Sequence, residues 1–286
     1  MSESITNSES LPDGIIERYE NNTVGVSTFG KPFNGRLLYS RADELHPNTE
    51  HLRTRLLTNL ADEANRYGAT DIFVPRVDRF NASLTETSKF KNTEIESLPH
   101  GVSLHRSDDE SFFNDGVILS PGEAAFIITG DCHTIVAWSD NQDEPVIASH
   151  AGRNSLHTIN HAHTSASESV VYEILKKYHN PISINIRVVA GIGKDIFTHP
   201  LDHAKYAKQN QELIQYFSQF SAADSTDTAG HIDIATAIRN QFIIQGVPDS
   251  QIKWDKIDTA SDERFWSYRI DDKPRNGILV CAKPQM

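Results

Sequence analysis

Two side chains near the middle of the chain have the chemistry of a reaction centre. Cys132 stands in FIITGDCHTIVAW, and His150 in VIASHAGRNSL. A thiol and an imidazole at the ends of neighbouring strands can hold a metal ion together, or act as a nucleophile and its base. A lone cysteine beside core strands is ordinarily an inert small hydrophobe, so its surroundings decide whether it reacts. Asp131, next in sequence, would disfavour the thiolate unless a cation compensates, and a divalent metal compensates most strongly. A catalytic zinc site needs a third protein ligand. His100, in Pro99-His100-Gly101 ahead of an extended run, is the expected one, and Asp78 in Pro75-Arg76-Val77-Asp78 is its rival. Such wide spacing differs from the tight Cys-x-x-Cys pairs of structural zinc. His157, His161 and His163 read instead as solvated helix residues, because no Glu follows His157 as it does in a zincin helix.

The elements that must position these residues follow from pattern. Ala125 to Thr129 and Thr134 to Trp138 are apolar runs flanking Gly-Asp-Cys, and Pro145 to Ser149 ends at His150. The interval between Cys132 and His150 is long enough for a hairpin that brings both to one rim. Leu52, Leu56, Leu60 and Ala64 predict an amphipathic helix over Pro47 to Tyr67, stopped by Gly68. Further strands are expected at Thr23 to Phe29, Leu37 to Ser40, Asp71 to Val74, Gly101 to His105, Val117 to Leu119, Ser183 to Ala190, Ile252 to Ile257 and Gly277 to Ala282. Helices are expected at Asn154 to Tyr178, Pro200 to about Phe220, and Ile232 to Gln245. Arg79 to Ser97 reads as a polar loop, DSTDTAG as a polar separator, and Phe265 to Arg269 as an aromatic turn or strand. The expected architecture is α/β, one layered domain over residues 13–286 with a mixed central sheet flanked by helices, after a polar tail at 1–12. Asn22 to Arg41 is expected to flank the pocket.

Composition bounds the partners. The 286 residues carry 27 basic and 39 acidic side chains, a net charge of −12, which argues against a nucleic-acid backbone or an anionic membrane. Two distant cysteines make no disulfide framework and suit a reducing compartment. With no apolar leader and no run near the roughly 20 residues of a span, a cytoplasmic protein is expected, monomeric or homodimeric.

The motifs resemble those of YfiH-type proteins, also labelled the laccase-domain or multicopper polyphenol oxidase family. Leu98-Pro99-His100-Gly101 stands for the family's Gln-Val-His-Gly, Thr129-Gly130-Asp131-Cys132 for its Thr-Ala-Asp-Cys, and His150-Ala151-Gly152-Arg153-Asn154-Ser155 for its His-Ala-Gly-Trp-Arg-Gly. Asn114-Asp115-Gly116-Val117, Ala190-Gly191-Ile192-Gly193 with Phe197, and Phe265-Trp266-Ser267-Tyr268-Arg269 match further segments in the family's order, from about Thr23 to Lys283. Two departures stand out. Arg153-Asn154 replaces the family's Trp-Arg, which shifts or removes a cation at the substrate, and no proline flanks the Ile192-Gly193 turn. The segment Asp71 to Leu84 competes with Leu98 to Gly101 for the first motif.

The resemblance implies zinc on His100, Cys132 and His150, and phosphorolysis of purine nucleosides with adenosine deamination beside it. Purine nucleoside and phosphate are then the partners. Arg153, Lys194 and Arg269 are the cations available to phosphate, Arg153 and Arg269 being favoured. Phe197, Trp266 and Tyr268 are available to stack a purine, and Asp131 to orient a ligand histidine. Two other classes stay open: a metal-free cysteine hydrolase using Cys132 and His150, and an inactive scaffold or binding protein. Copper fits least, since a multicopper site needs repeated His-x-His pairs and only His161-Ala162-His163 has that spacing.

Overall fold

The computed structural model describes residues 11–39, 47–77, 82–90, 94–106, 114–157, 169–270 and 273–285. The chain begins with β1 (Ile15–Glu20), β2 (Val24–Phe29), α1 (Pro47–Arg66), β3 (Asp71–Val74), β4 (Leu84–Glu86), β5 (Glu94–Ser97) and β6 (Ser103–Arg106). Four strands at its centre follow: β7 (Gly116–Leu119), β8 (Glu123–Thr129), β9 (His133–Ser139) and β10 (Val146–Ala151). Next come α2 (Arg153–Leu156), α3 (Val170–Leu175), β11 (Ile184–Val189), β12 (Thr198–Pro200) and α4 (Ala207–Ser218). The chain closes with β13 (Ala223–Ser225), β14 (Ala229–Ile232), α5 (Ile234–Ile244), β15 (Ile252–Trp254) and β16 (Asn276–Ala282).

The α/β architecture with helices outside a mixed sheet is present in doubled form. One sheet runs β1-β2-β16-β8-β3-β6-β5 and the other β15-β11-β9-β10-β7-β4, while β12, β14 and β13 make a small third sheet. Side chains alternate faces along a strand, and that period sorts them into layers. Ala125 and Ile127 of β8, Val136 and Trp138 of β9, and Val146 and Ala148 of β10 meet between the two large sheets. Phe126 faces the other way, onto Leu56 and Leu60 of α1. Ile135, Ala137 and Ile147 pack under α3, α4 and α5 with Phe217, Ile238 and Phe242. Strands β9 and β16 are buried at every residue, as expected for central strands covered on both faces. Burying one such Val, Leu, Ile or Phe stabilises the fold by about 1.5–3 kcal/mol.

Local signals set several ends. Gly68, at φ +78°, stops α1, because a left-handed residue after a helix favours glycine. Asp233 caps α5 by accepting from Thr236 N at 2.9 Å.

Some expectations are corrected. A single helix over Asn154 to Tyr178 is interrupted, since His157 is extended (φ −112°, ψ 124°) and ends α2 after Leu156. Residues 158–168 of that stretch, His161 and His163 among them, lie outside the described residues. His157 is not a solvated residue: its ring is buried, edge-on to Tyr216 with centroids 4.2 Å apart. Leu37 and Leu38 lie in a 3-10 turn, not a strand. The supposed loop from Arg79 contributes β4, which joins β7 in parallel, and β5, which pairs with β6. DSTDTAG is not a mere separator but supplies residues of β13 and β14, and α4 starts only at Ala207 because Thr198–Pro200 is spent on β12.

Candidate active site

Strand β8 belongs to one large sheet and β9 to the other, so Gly130-Asp131-Cys132 crosses between them. Strand β10 runs back antiparallel to β9, with Ala151 opposite His133 and His150 opposite Thr134. The expected hairpin therefore sets Cys132, just before β9, beside the finish of β10. Val146 and Ala148 point between the sheets, and His150 continues their face where that layer opens to solvent.

Gly152 reports how close the pair lies. A methyl group there would sit 3.0 Å from His150 Cε1, 3.5 Å from His150 Nε2 and 3.1 Å from Cys132 Sγ. A side chain there would press on both reactive groups, and Ser155 holds the backbone in place, its Oγ accepting from Gly152 N at 2.9 Å.

A residue not singled out for chemistry completes the arrangement. Asp115, fully buried, lies across from His150 where β7 begins. Its carbonyl accepts from His150 N at 2.7 Å, and its Oδ1 stands 3.2 Å from His150 Nδ1. That contact occupies Nδ1, and Cys132 lies close enough to the ring to act on its charge. Burial presses the His150 imidazole toward its neutral form, but the Cys132 sulfur and Asp115 outweigh it and push its pKa up to about 10. The sequence carried a trace of Asp115: the Asn-Asp-Gly turn leads straight into a strand and matches one of the family's segments.

The surrounding cleft has a volume of about 930 Å³ and includes Arg36, Arg76, Arg153, Arg269 and Arg275 in its lining. Arg153 opens α2, and Arg269 lies 4.8 Å from the Phe197 ring centre. Burial, then the neighbouring Arg269, presses Arg153 below its ordinary range, while Cys132 opposes that shift. Such a site favours an anion. Asp131 serves the loops: Oδ1 accepts from Thr259 Oγ1 at 3.0 Å, Oδ2 from Arg269 N at 2.9 Å, and its carbonyl from Ile192 N at 2.8 Å. Its side-chain oxygens are thus spent on Thr259 and Arg269, and the carboxylate beside the His150 ring is that of Asp115.

The other expected site residues divide. Phe197 and Tyr268 line the cleft, whereas Trp266 donates through Nε1 to Phe33 O at 2.5 Å and Lys194 pairs with Asp224. His100 is elsewhere. It sits in a 3-10 turn at φ 61°, exposed, with Nε2 2.7 Å from Asp62 Oδ1 of α1. Strands β3 and β6 are parallel, with Asp71 opposite Ser103. His100 thus lies at the starting end of β3, while Arg76 and Val77, past its finishing end, line the cleft. The rival, Asp78, directly follows Val77 in sequence and lies outside the described residues.

A thiolate sulfur and an imidazole nitrogen whose far side meets a carboxylate are a donor set suited to zinc. Among the described residues, no group of three His, Cys, Asp or Glu side chains stands close enough to hold a metal. Cys132 and His150 would supply two such donors, and no third stands with them among the described residues.

Solved structures share the architecture. A hypothetical protein YfiH from Bacillus licheniformis is 14% identical with a TM-score of 0.64, covering 97% of this chain and 100% of that one. YlmD from Geobacillus stearothermophilus is 15% identical with a TM-score of 0.61, covering 95% and 93%. A Neisseria meningitidis protein is 12% identical with a TM-score of 0.61, covering 95% and 100%. These likenesses speak for the fold. No curated protein sequence matches the chain. The family model described as multi-copper polyphenol oxidoreductase laccase matches residues 76–281, which include every element of the Cys132–His150 centre. The chain therefore belongs to that family, as a YfiH-type laccase-domain protein.

Proposed function

We propose that this protein is a zinc-assisted purine nucleoside phosphorylase, with adenosine deamination as its second activity. The observation that carries the reading is the meeting of Cys132 and His150 over Gly152 in a cleft lined by arginines. Cys132 and His150 would hold the ion, with Asp78 as the proposed third donor in place of His100. When bound, zinc polarises an oxygen ligand and lowers the pKa of bound water to about 7.

The protein's own residues supply binding and orientation. Arg153 and Arg269 hold phosphate so that one oxygen faces C1′ of the ribose. A bond forms between that oxygen and C1′ as the bond from C1′ to the purine nitrogen breaks, and the departing base keeps the electron pair and takes up a proton. Phe197 and Tyr268 give the base flat surfaces. Asp115 fixes which nitrogen of His150 faces the centre.

A second reading has its own support. Cys132, His150 and Asp115 also stand in the order of a nucleophile, base and orienting carboxylate. Metal content and phosphate dependence separate the two. About one zinc per chain, lost in Cys132→Ala, with release of hypoxanthine from inosine only when phosphate is present, supports phosphorolysis. Metal-free protein whose Cys132 alkylates rapidly, and which releases no base from any purine nucleoside, overturns it in favour of the hydrolase.

A further inference from the structure

The cleft holds more positive charge than one phosphate needs. Its described lining contains five arginines and one carboxylate, Asp131, and both Asp131 oxygens are engaged by Thr259 and by the backbone N–H of Arg269. This concentration sits in a protein of net charge −12.

The arginines also fall into separate groups. Arg153 and Arg269 lie near Cys132 and Phe197. Arg36 and Arg275 lie at another corner, where one side chain fastens them together: Asn34 Oδ1 accepts from Arg36 N at 3.1 Å and from Arg275 N at 3.0 Å. Gly35 N donates to Arg275 O at 2.8 Å and closes the same clamp. Arg275 lies 5.1 Å from the Tyr268 ring centre, and a methyl group on Gly130 would come within 3.3 Å of its Cδ and Nε. Arg275 thus abuts Gly130, with its Nη1 also donating to the carbonyls of Lys273 and Pro274 at 2.8 and 2.9 Å, while Arg153 lies near Cys132, so the two groups line different stretches of one cleft.

We propose that the cleft takes purine nucleosides bearing a 5′-phosphate, with Arg36 and Arg275 binding that phosphate at an outer subsite distinct from the inner one at Arg153 and Arg269. This rests on the nucleoside reading above and specifies its substrate class. Phosphate on the outer pair leaves C1′ toward Cys132 and His150 and the base within reach of Phe197 and Tyr268.

Equilibrium titration of the full chain with adenosine 5′-monophosphate and with adenosine, in phosphate-free buffer, tests the proposal without requiring turnover. The monophosphate is expected to bind at least about tenfold more tightly. Arg36→Ala is expected to reduce that advantage to threefold or less, and Arg275→Ala to act alike. Arg36 is exposed and its backbone contacts survive the change, so the first variant is expected to fold. Equal affinity for the two ligands, no binding of either, or an advantage that survives Arg36→Ala but vanishes in Arg153→Ala would overturn the outer subsite. Phosphate-dependent cleavage of adenosine by the same protein, alongside equal affinities, would remove the subsite and leave phosphorolysis standing. A tenfold advantage lost in Arg36→Ala, with no phosphorolysis, would establish the subsite and remove that reaction.

Discussion

The two cysteines occupy opposite kinds of place. Cys281 lies inside β16 with no exposed surface, packed among Leu56, Leu60 and Phe126, and burial pushes its thiol well above the ordinary range. Cys132 sits on a partly exposed crossover with His150 against it and two arginines nearby. The residue type is the same, yet one is filler and the other faces an imidazole and a cleft. Neighbours supplied by distant parts of the chain make the difference.

The largest expected effect breaks the comparison at its reactive end. Cys132→Ala should lower kcat/KM for nucleoside phosphorolysis by at least about a thousandfold, on the scale of losing a member of a catalytic set, and should remove bound zinc by metal analysis. Cys281→Ala should leave kcat/KM within twofold. Asp115→Asn comes next and should weaken zinc affinity about 10- to 100-fold in a chelator competition. Gly152→Ala follows. Its methyl group would stand about 3 Å from both reactive side chains, which must give by a few tenths of an ångström, and a loss of about tenfold in kcat/KM is expected. Steady-state kinetics with an unchanged thermal midpoint would separate this from unfolding. His100→Ala should leave metal content and kcat/KM unchanged, and loss of zinc in that variant would restore His100 as a ligand.

A smaller effect belongs to His199. Burial, then Arg153 and Arg269, pushes its pKa down from 6.5 to about 3. The fold prefers the neutral ring while the unfolded chain takes up a proton below pH 6.5, so this contribution to stability is whole above pH 6.5 and falls away as pH drops toward 3. Urea midpoints measured between pH 7 and pH 4 should decline less steeply in His199→Gln.

Much of this centre was readable in the sequence because it is local. Apolar runs on either side of Gly-Asp-Cys mark strand ends, and an antiparallel return brings His150 to the start of β9 with no other information. His100 and Asp115 show where local reading stops. Both are polar residues in turns before strands, and only the order of strands tells them apart: β7 lies beside β10, whereas β6 lies beyond β3 in the other large sheet. Short edge strands were hidden for a related reason. Leu84–Glu86 contains one buried residue, too little for a two-residue period to register, and it extends because β7 offers an open edge. The break in the long helix turned on His157, whose place between Tyr216 and Phe217 depends on α4, some sixty residues onward.

The crossover between β8 and β9 makes the centre a bridge. The sulfur arrives on a segment leaving one sheet, and the imidazole and its carboxylate ride on the other, so their spacing measures how the two halves of the sandwich are seated. Substitutions deep in the shared layer, at Ile127 or Ile278 for instance, would therefore register at the reactive pair without touching it.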